Sequence, residues 1–422
     1  MSDGFSASVT GVGLVTALGH TVSDTWHALA AGRHAIASRA EAIGGCQAGA
    51  PVVDLTAPAD LRVPKHAKFM GRAALCGVRA ALDAVALAGV GTGRVAPESI
   101  GVYAATGETG LDVQEFFPAL DVAWQEDAAL DFRHLVGRAS RLVDPYFSLR
   151  TLSNGTAALS AVELAARGPS INFVQGATAG AHALACACAD LDERRVDAAV
   201  VIGCDALLTT ASQLAYAREG VWSRLPPDRA CRAFSGVNGD GFVPGEAGAA
   251  LVLERTQEVA ARGVRSLATI RGVGFAVTSP GPMSDPASAA PEREACAGAL
   301  TEAGGTADVG AVFAPGDPTP RGAWAEVAVL AALLGAAVPV TTLSGALGHL
   351  GAATSLVQVV LGLHSLAAGV PPAARVAPDH VGAAIDLVRD VPRPVPAGRT
   401  IVCLARSFSA EHAAIVLAGT DA

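Results

Sequence analysis

Short apolar, β-branched runs alternate with longer Ala- and Leu-rich stretches from one end of the chain to the other. Ala7–Thr10, Ser99–Tyr103, Ser170–Val174, Ala198–Ile202, Val309–Phe313, Val338–Thr342 and Thr400–Leu404 hold few polar side chains. A strand with one wet face alternates polar and apolar positions. Runs this uniformly apolar predict strands covered on both faces, with the intervening stretches as the covering helices. That is an α/β pattern.

Two segments share one design. Ser170–Val174 leads through Gln175-Gly176-Ala177-Thr178-Ala179-Gly180 into a helix over His182–Leu191. Val338–Thr342 leads through Ser344-Gly345-Ala346-Leu347-Gly348 into a helix from about His349 to Leu366. A strand, a tight small-residue turn and a helix present one side chain and a helix N-terminus to a common centre, a layout suited to acyl chemistry. Between the two, a strand ends near Leu251, a charged helix spans Gln257 to Arg262-Gly263, and a new strand, Ser266–Gly272, begins. The predicted halves are therefore 1–258 and 259–422. No low-complexity linker separates them, so they are expected to form one rigid body.

Composition narrows the function classes. Apolar residues make up 51% of the 422 and charged residues 16%, so much of the surface must be buried in a core or against another subunit. A net charge of −9, with no Lys/Arg-rich run, argues against nucleic acid and against an anionic membrane as partners. Val327–Leu347 carries no charge, but Gly335, Pro339, Thr341, Thr342, Ser344 and Gly345 interrupt it, and a helix running into a buried strand is expected there instead of a membrane span. The start, Met1-Ser2-Asp3-Gly4, lacks a basic region before an apolar run, which leads to the expectation of a cytoplasmic protein. Cys46, Cys76, Cys186, Cys188, Cys204, Cys231, Cys296 and Cys403 show no CxxC spacing and are expected as reduced, mostly buried thiols.

Four blocks then carry a resemblance. The opening Val9-Thr10-Gly11-Val12-Gly13-Leu14-Val15-Thr16-Ala17-Leu18-Gly19 is followed by Gly168-Pro169-Ser170 ahead of the first small-residue turn. Arg232-Ala233-Phe234 precedes the glycine-rich run Asp240-Gly241-Phe242-Val243-Pro244-Gly245-Glu246-Ala247-Gly248, and Gly348-His349-Leu350-Gly351 follows the second turn. In this order, across nearly the whole chain, they resemble the β-ketoacyl synthases. The resemblance implies a thiolase-like fold, a duplicated five-layer α-β-α-β-α arrangement.

That family's chemistry uses a cysteine at the first turn to take the acyl chain, and two histidines to assist malonyl decarboxylation and hold the enolate. The resemblance sets Ala177 at the cysteine position, and alanine forms no thioester. Pro315, opening Pro315-Gly316-Asp317-Pro318-Thr319-Pro320, stands at the first histidine, and Ser344 at a lysine. Only His349 is retained. The site is thus expected to be degenerate, with no catalytic residue assigned.

Other residues are candidates to replace the lost groups. Gln175 lies two places before Ala177 and points elsewhere along the strand end, whereas chain length factors of aromatic pathways usually carry glutamine at the nucleophile position itself. Cys186 and Cys188 fall two to three turns down the helix and are expected as core thiols. His349 at a helix N-terminus favours the neutral imidazole, in either a structural or an enolate-binding role. His182 is expected to be structural. The other histidines show no ligand spacing, so no metal is expected. Near the C-terminus the family's Gly-Phe-Gly-Gly turn reads Ser407-Phe408-Ser409-Ala410. Losing the glycines removes the freedom to adopt positive φ, making Phe408 a fixed plug or a plain core ring.

A fold kept while its chemistry is lost implies, by the same resemblance, a chain length factor: the non-catalytic subunit of a type II polyketide synthase. Its expected partners are an active ketosynthase, with which it forms a heterodimer, an acyl carrier protein and the growing polyketide chain. It needs no cofactor of its own, the phosphopantetheine arm being the carrier's and entering through the partner. The family's spacing puts Leu111, Gln114, Phe116, Phe117 and Pro118 at the interface or along the partner's acyl tunnel, where bulk sets product length. The alternatives are an interface helix without a gating role, and a modified stand-alone acyltransferase or decarboxylase using His349.

Overall fold

A computed structural model describes residues 6–90, 93–107, 113–124, 130–137, 139–236, 238–239, 241–277, 289–305, 309–389, 393–396 and 399–420. Its strands in chain order are β1 (Ala7–Thr16), β2 (Ala37–Ile43), β3 (Cys46–Gly49), β4 (Ile100–Thr106), β5 (Ser170–Phe173), β6 (Ala198–Ala206), β7 (Glu246–Arg255), β8 (Ala268–Val277), β9 (Val309–Phe313), β10 (Pro339–Thr341), β11 (Asp386–Leu387), β12 (Thr400–Arg406) and β13 (Glu411–Ala418). Eleven join in the order β11-β10-β9-β12-β13-β8-β1-β7-β6-β4-β5, and β2 pairs with β3 apart from them.

That order contains the same unit twice. β5-β4-β6-β7-β1 is parallel over its first three strands and antiparallel over the rest. β10-β9-β12-β13-β8 repeats both the order and the directions. The units meet where Ala7, Ser8 and Val9 of β1 face Ile270, Thr269 and Ala268 of β8.

Helices cover both faces of each unit, which is why the strands read as continuously apolar. Arg72–Ala88 lies on the outer face of the first unit, against β1, β6 and β7. Ala289–Glu302 lies on the outer face of the second, against β8 and β13, with Pro320–Leu334 beside it. Ala179–Asp192 and Thr354–Ala368 fill the space between the units and touch strands of both. The result is the duplicated α-β-α-β-α stack of the thiolase-like fold.

Two sequence expectations need correction. β1 continues to Thr16, although only Ala7–Thr10 reads as strand. Gly11 and Gly13 make no turn; a Cβ on them would lie 2.0 Å from the carbonyl oxygen of Ala84 and 1.9 Å from that of Ala80, so they let the helix Arg72–Ala88 settle onto the strand. The second small-residue turn does not open a helix at His349. Gly348 at φ +76° and Gly351 at φ +48° interrupt the chain in left-handed conformations, and the helix starts at Thr354.

The uncharged stretch 327–347 divides into the end of helix Pro320–Leu334, strand β10 and the short helix Ser344–Leu347. Gly351–Ala368 is long and apolar enough to cross a membrane, yet 72% of it is buried inside the fold as a central-layer helix.

Candidate functional site

The two turns close onto one centre, each delivered by the end of a parallel strand. After β5, residues Gly176–Thr178 form a single tight turn into the helix Ala179–Asp192. Ala177 is 1% exposed, and its methyl group offers neither a nucleophile nor a hydrogen bond. Thr178 Oγ1 donates to the carbonyl of Gln175 at 3.0 Å and to Glu411 Oε2 at 2.5 Å. His182 Nε2 lies 2.7 Å from Glu411 Oε1, and its ring stacks on Phe275 at 4.1 Å. Burial pushes the Glu411 carboxyl up, but the hydrogen bonds from His182 and Thr178 outweigh it and hold the group below its ordinary value. These contacts tie the first turn to β13. Gln175 stays short of the turn, its Oε1 buried without a partner.

The second turn sits against the Pro315 run. Ser344 Oγ donates to the carbonyl of Gly316 at 2.9 Å, and Thr342 Oγ1 donates to that of Pro315 at 3.2 Å. Where the resemblance sets a lysine and a histidine, serine and proline now close two backbones on each other. Behind them lies a buried charge cluster that sequence reading missed. Arg406 pairs with Asp317, and Glu326 accepts from the backbone N–H groups of Gly316 and Asp317, both at 2.8 Å. Burial raises the Glu292 carboxyl; attraction from Arg406 offsets part of that, while Asp317 adds to it. Burial also raises Glu326, with the charge of Glu292 behind it. Burial would lower Arg406, yet Asp317, Glu292 and Glu326 together hold it above its ordinary value. His412, opposite Arg406 in the β12–β13 register, is pushed down to about 4 by burial and then by Arg406, and neither ring nitrogen has a partner.

His349 is fixed mainly by its backbone: its N–H donates to Val243 O at 2.7 Å and its carbonyl accepts from Gly245 N at 2.9 Å. Its ring is wedged between Phe242, 5.4 Å away, and Phe408, 4.5 Å away. Burial alone pushes its pKa down to about 4, so the imidazole is neutral at pH 7. Phe408 also meets Tyr216 at 5.2 Å and Trp222 at 6.5 Å, which places it in an aromatic cluster packed on His349. The turn carrying it keeps a left-handed residue despite losing its glycines: Ala410 has φ +62°. The expected loss of positive φ is therefore wrong, and the cost of about 1–2 kcal/mol falls on an alanine.

The space left is a cavity of about 30 Å³, lined by Phe242, Pro315, Asp317, Ser344, His349 and Arg406 among others. That holds about two waters and no acyl chain. Gln358 Oε1 and Thr354 Oγ1, also on its lining residues, are buried without partners. Cys188 is buried and Cys186 half-buried, both far down the helix from the turn. Among the described residues, no group of three or more His, Cys, Asp or Glu is placed to hold a metal.

On the other flank, Leu111 and the side chain of Gln114 lie outside the described residues. Phe116 stacks on Phe147 at 5.9 Å. Phe117 is 43% exposed and Pro118 is exposed beside it. Trp124, Phe132, Val136, Leu142, Leu149 and Leu152 are exposed on the same stretch of short helices. A larger cavity of about 210 Å³, also missed in the sequence, opens here between Met70, Leu75, Thr106, Glu115, Arg150 and Asp205.

The family model "Beta-ketoacyl synthase, N-terminal domain" matches residues 6–259, and "Beta-ketoacyl synthase, C-terminal domain" matches 267–376. The chain is 27% identical to 3-oxoacyl-[acyl-carrier-protein] synthase 2 of Vibrio cholerae, over 97% of each chain. A β-ketoacyl synthase from Burkholderia phymatum has the same fold at TM-score 0.85 and 22% identity, covering 99% of this chain and 100% of the other. The ishigamide ketosynthase/chain length factor has it at TM-score 0.82 and 21% identity, with 99% and 100% covered. At those identities the two structures speak to the fold alone.

Proposed function

The chain belongs to the β-ketoacyl synthase family, and from that premise we propose that it is a non-catalytic, chain length factor-type subunit that forms a heterodimer with an active ketosynthase. Ala177 carries this reading. It occupies the head of the helix Ala179–Asp192, where condensation needs a thiolate, and no sulfur or hydroxyl replaces it. The 30 Å³ remnant cavity, with Phe408 packed on His349, supports it. So does the run of exposed aromatic and aliphatic side chains between Phe117 and Leu152, since patches of that kind mark protein interfaces. In this reading the partner supplies the cysteine and both histidines and condenses malonyl units on acyl carrier protein. This subunit shapes the tunnel through Leu111, Gln114 and the residues up to Pro118.

The second reading, a stand-alone acyltransferase or decarboxylase, rests on one observation. His349 is neutral and keeps one ring N–H able to donate to an enolate. The small cavity weighs against it.

Co-expression with an intact Cys-His-His ketosynthase encoded beside this chain tests the proposal. The expected result is a co-purifying complex that extends malonyl units, and an inert chain when purified alone. Turnover by the chain alone that His349→Ala abolishes would establish the second reading instead.

A further inference from the structure

An open cleft of about 280 Å³ is lined by Leu225, Arg229, Arg232, Ser235, Asn238 and Asp379 among others. Arg229 is exposed, and its guanidinium makes no hydrogen bond or ion pair among the described residues. Arg232 makes one hydrogen bond, from Nη2 to the carbonyl of Asp228 at 2.6 Å, and its Nε is buried without a partner. Beneath them the Arg375 guanidinium donates to the carbonyls of Ala230, Gly345, Pro227 and Asp228 and to no carboxylate.

The field at this place is positive although the chain carries −9 overall. Burial lowers the Arg375 pKa, and repulsion from Arg232 lowers it further. His34 is lowered by burial and then by Arg375, with Arg232 adding to it. Two acids face the three guanidinium groups, and the lowered His34 adds no charge of its own at pH 7. Asp228 offsets part of the repulsion at Arg375, and Asp379 accepts from Asn238 Nδ2 at 2.9 Å.

We propose that this cleft binds a phosphate-type anion, gripped by Arg229 and Arg232 and oriented by Ser235 and Asn238. A guanidinium presents five donors in a planar fork, which matches two phosphate oxygens at once, and both forks here are largely unused. The cleft has room for the phosphate and for part of a group attached to it. Its floor is continuous with the degenerate centre: Phe234 N donates to Asp317 O at 3.1 Å, and Cys231 Sγ to Ser344 O at 3.3 Å. A ligand here braces the rear of the Pro315 run and of the second turn. The site stands whichever subunit this chain assembles with.

The test is calorimetric titration of the full chain with inorganic phosphate, pantetheine 4′-phosphate and unphosphorylated pantetheine, at low and at 0.3 M salt. Both phosphates are expected to bind, and pantetheine about tenfold more weakly than its phosphate or not at all; salt weakens the phosphates. Arg229→Gln should lower phosphate affinity about tenfold, the size of one lost charge-assisted hydrogen bond. Asp379→Asn should raise it. Inorganic phosphate binding as tightly as pantetheine 4′-phosphate identifies free phosphate as the ligand; a tighter pantetheine 4′-phosphate identifies the arm. Pantetheine binding as well as its phosphate, or phosphate affinity unchanged in both folded variants, overturns the proposal.

Discussion

The ring of Phe408 lies 4.5 Å, centroid to centroid, from the imidazole of His349, tilted by 33°. A ring from the C-terminal turn therefore caps the imidazole that follows the second turn. Phe408→Ala should cost about 2–3 kcal/mol, below the range for a fully buried ring because Phe408 is half-buried. Urea unfolding measures the loss. A crystal structure of the variant should show the 30 Å³ cavity enlarged towards Tyr216 and Trp222; an unchanged cavity would show that Phe408 is not the plug.

Ala177→Cys should not restore condensation. The new thiol would be as buried as the methyl it replaces, and Pro315 and Ser344 offer neither an imidazole nor an ammonium group to hold the developing charge. Carbon dioxide release from malonyl-carrier by the purified variant is the measurement, and turnover above the parent chain counts against a degenerate site.

Stability should fall as pH rises through neutrality. Glu292 and Glu326 have folded pKa values raised above the carboxylate range, so above about pH 4.5 the unfolded chain has released protons that the folded chain still holds. Each contributes a downward slope of about 1.4 kcal/mol per pH unit until it ionises in place. His349 and His412, pushed down to about 4 from an ordinary 6.5, act oppositely and lose stability as pH falls through that window. The two effects offset between about 4.5 and 6.5, leaving the net fall above it. Denaturant unfolding across pH 5–9 reads this out, and Glu292→Gln should flatten the alkaline limb.

Phe117→Asp should weaken assembly with the partner at least tenfold, because it places a charge in an apolar patch now 43% exposed at that ring. Analytical ultracentrifugation of the mixed subunits measures it. In an assembled complex Leu111→Trp should shorten the product, read by mass spectrometry. Full-length product from a folded complex would remove the ruler role.

Gly13→Ala should destabilise by several kcal/mol, since the added carbon would sit 1.9 Å from the Ala80 carbonyl oxygen and the helix would have to lift from β1. Thermal unfolding against an exposed control such as Gly137→Ala, where an added Cβ meets nothing within 4 Å, checks it.

The strands were readable because burial on both faces leaves a local mark: β4, β6, β9 and β12 all begin where an apolar run begins. The end of β1 was not, since glycine reads as a turn unless the helix lying across it is known. The two turns were legible from their spacing and small residues. The charge cluster was not. Glu292, Glu326, Arg406 and His412 lie on four different elements and Asp317 on a loop, and only the pairing of Arg406 with His412 across β12 and β13, with two helices laid over them, brings them together. The cationic cleft was hidden similarly: a net negative chain gives no hint that Arg229, Arg232 and Arg375 converge.

Because the two five-stranded units repeat one order and one set of directions, the chain carries an internal pseudo-dyad, and the turns after β5 and β10 are each other's symmetry mates. A pocket on such an axis is assembled from both sides, with no spare copy of either contribution. Any change of chemistry at that centre therefore demands matched substitutions in both halves of the chain, at Ala177 on one side and at Ser344 on the other.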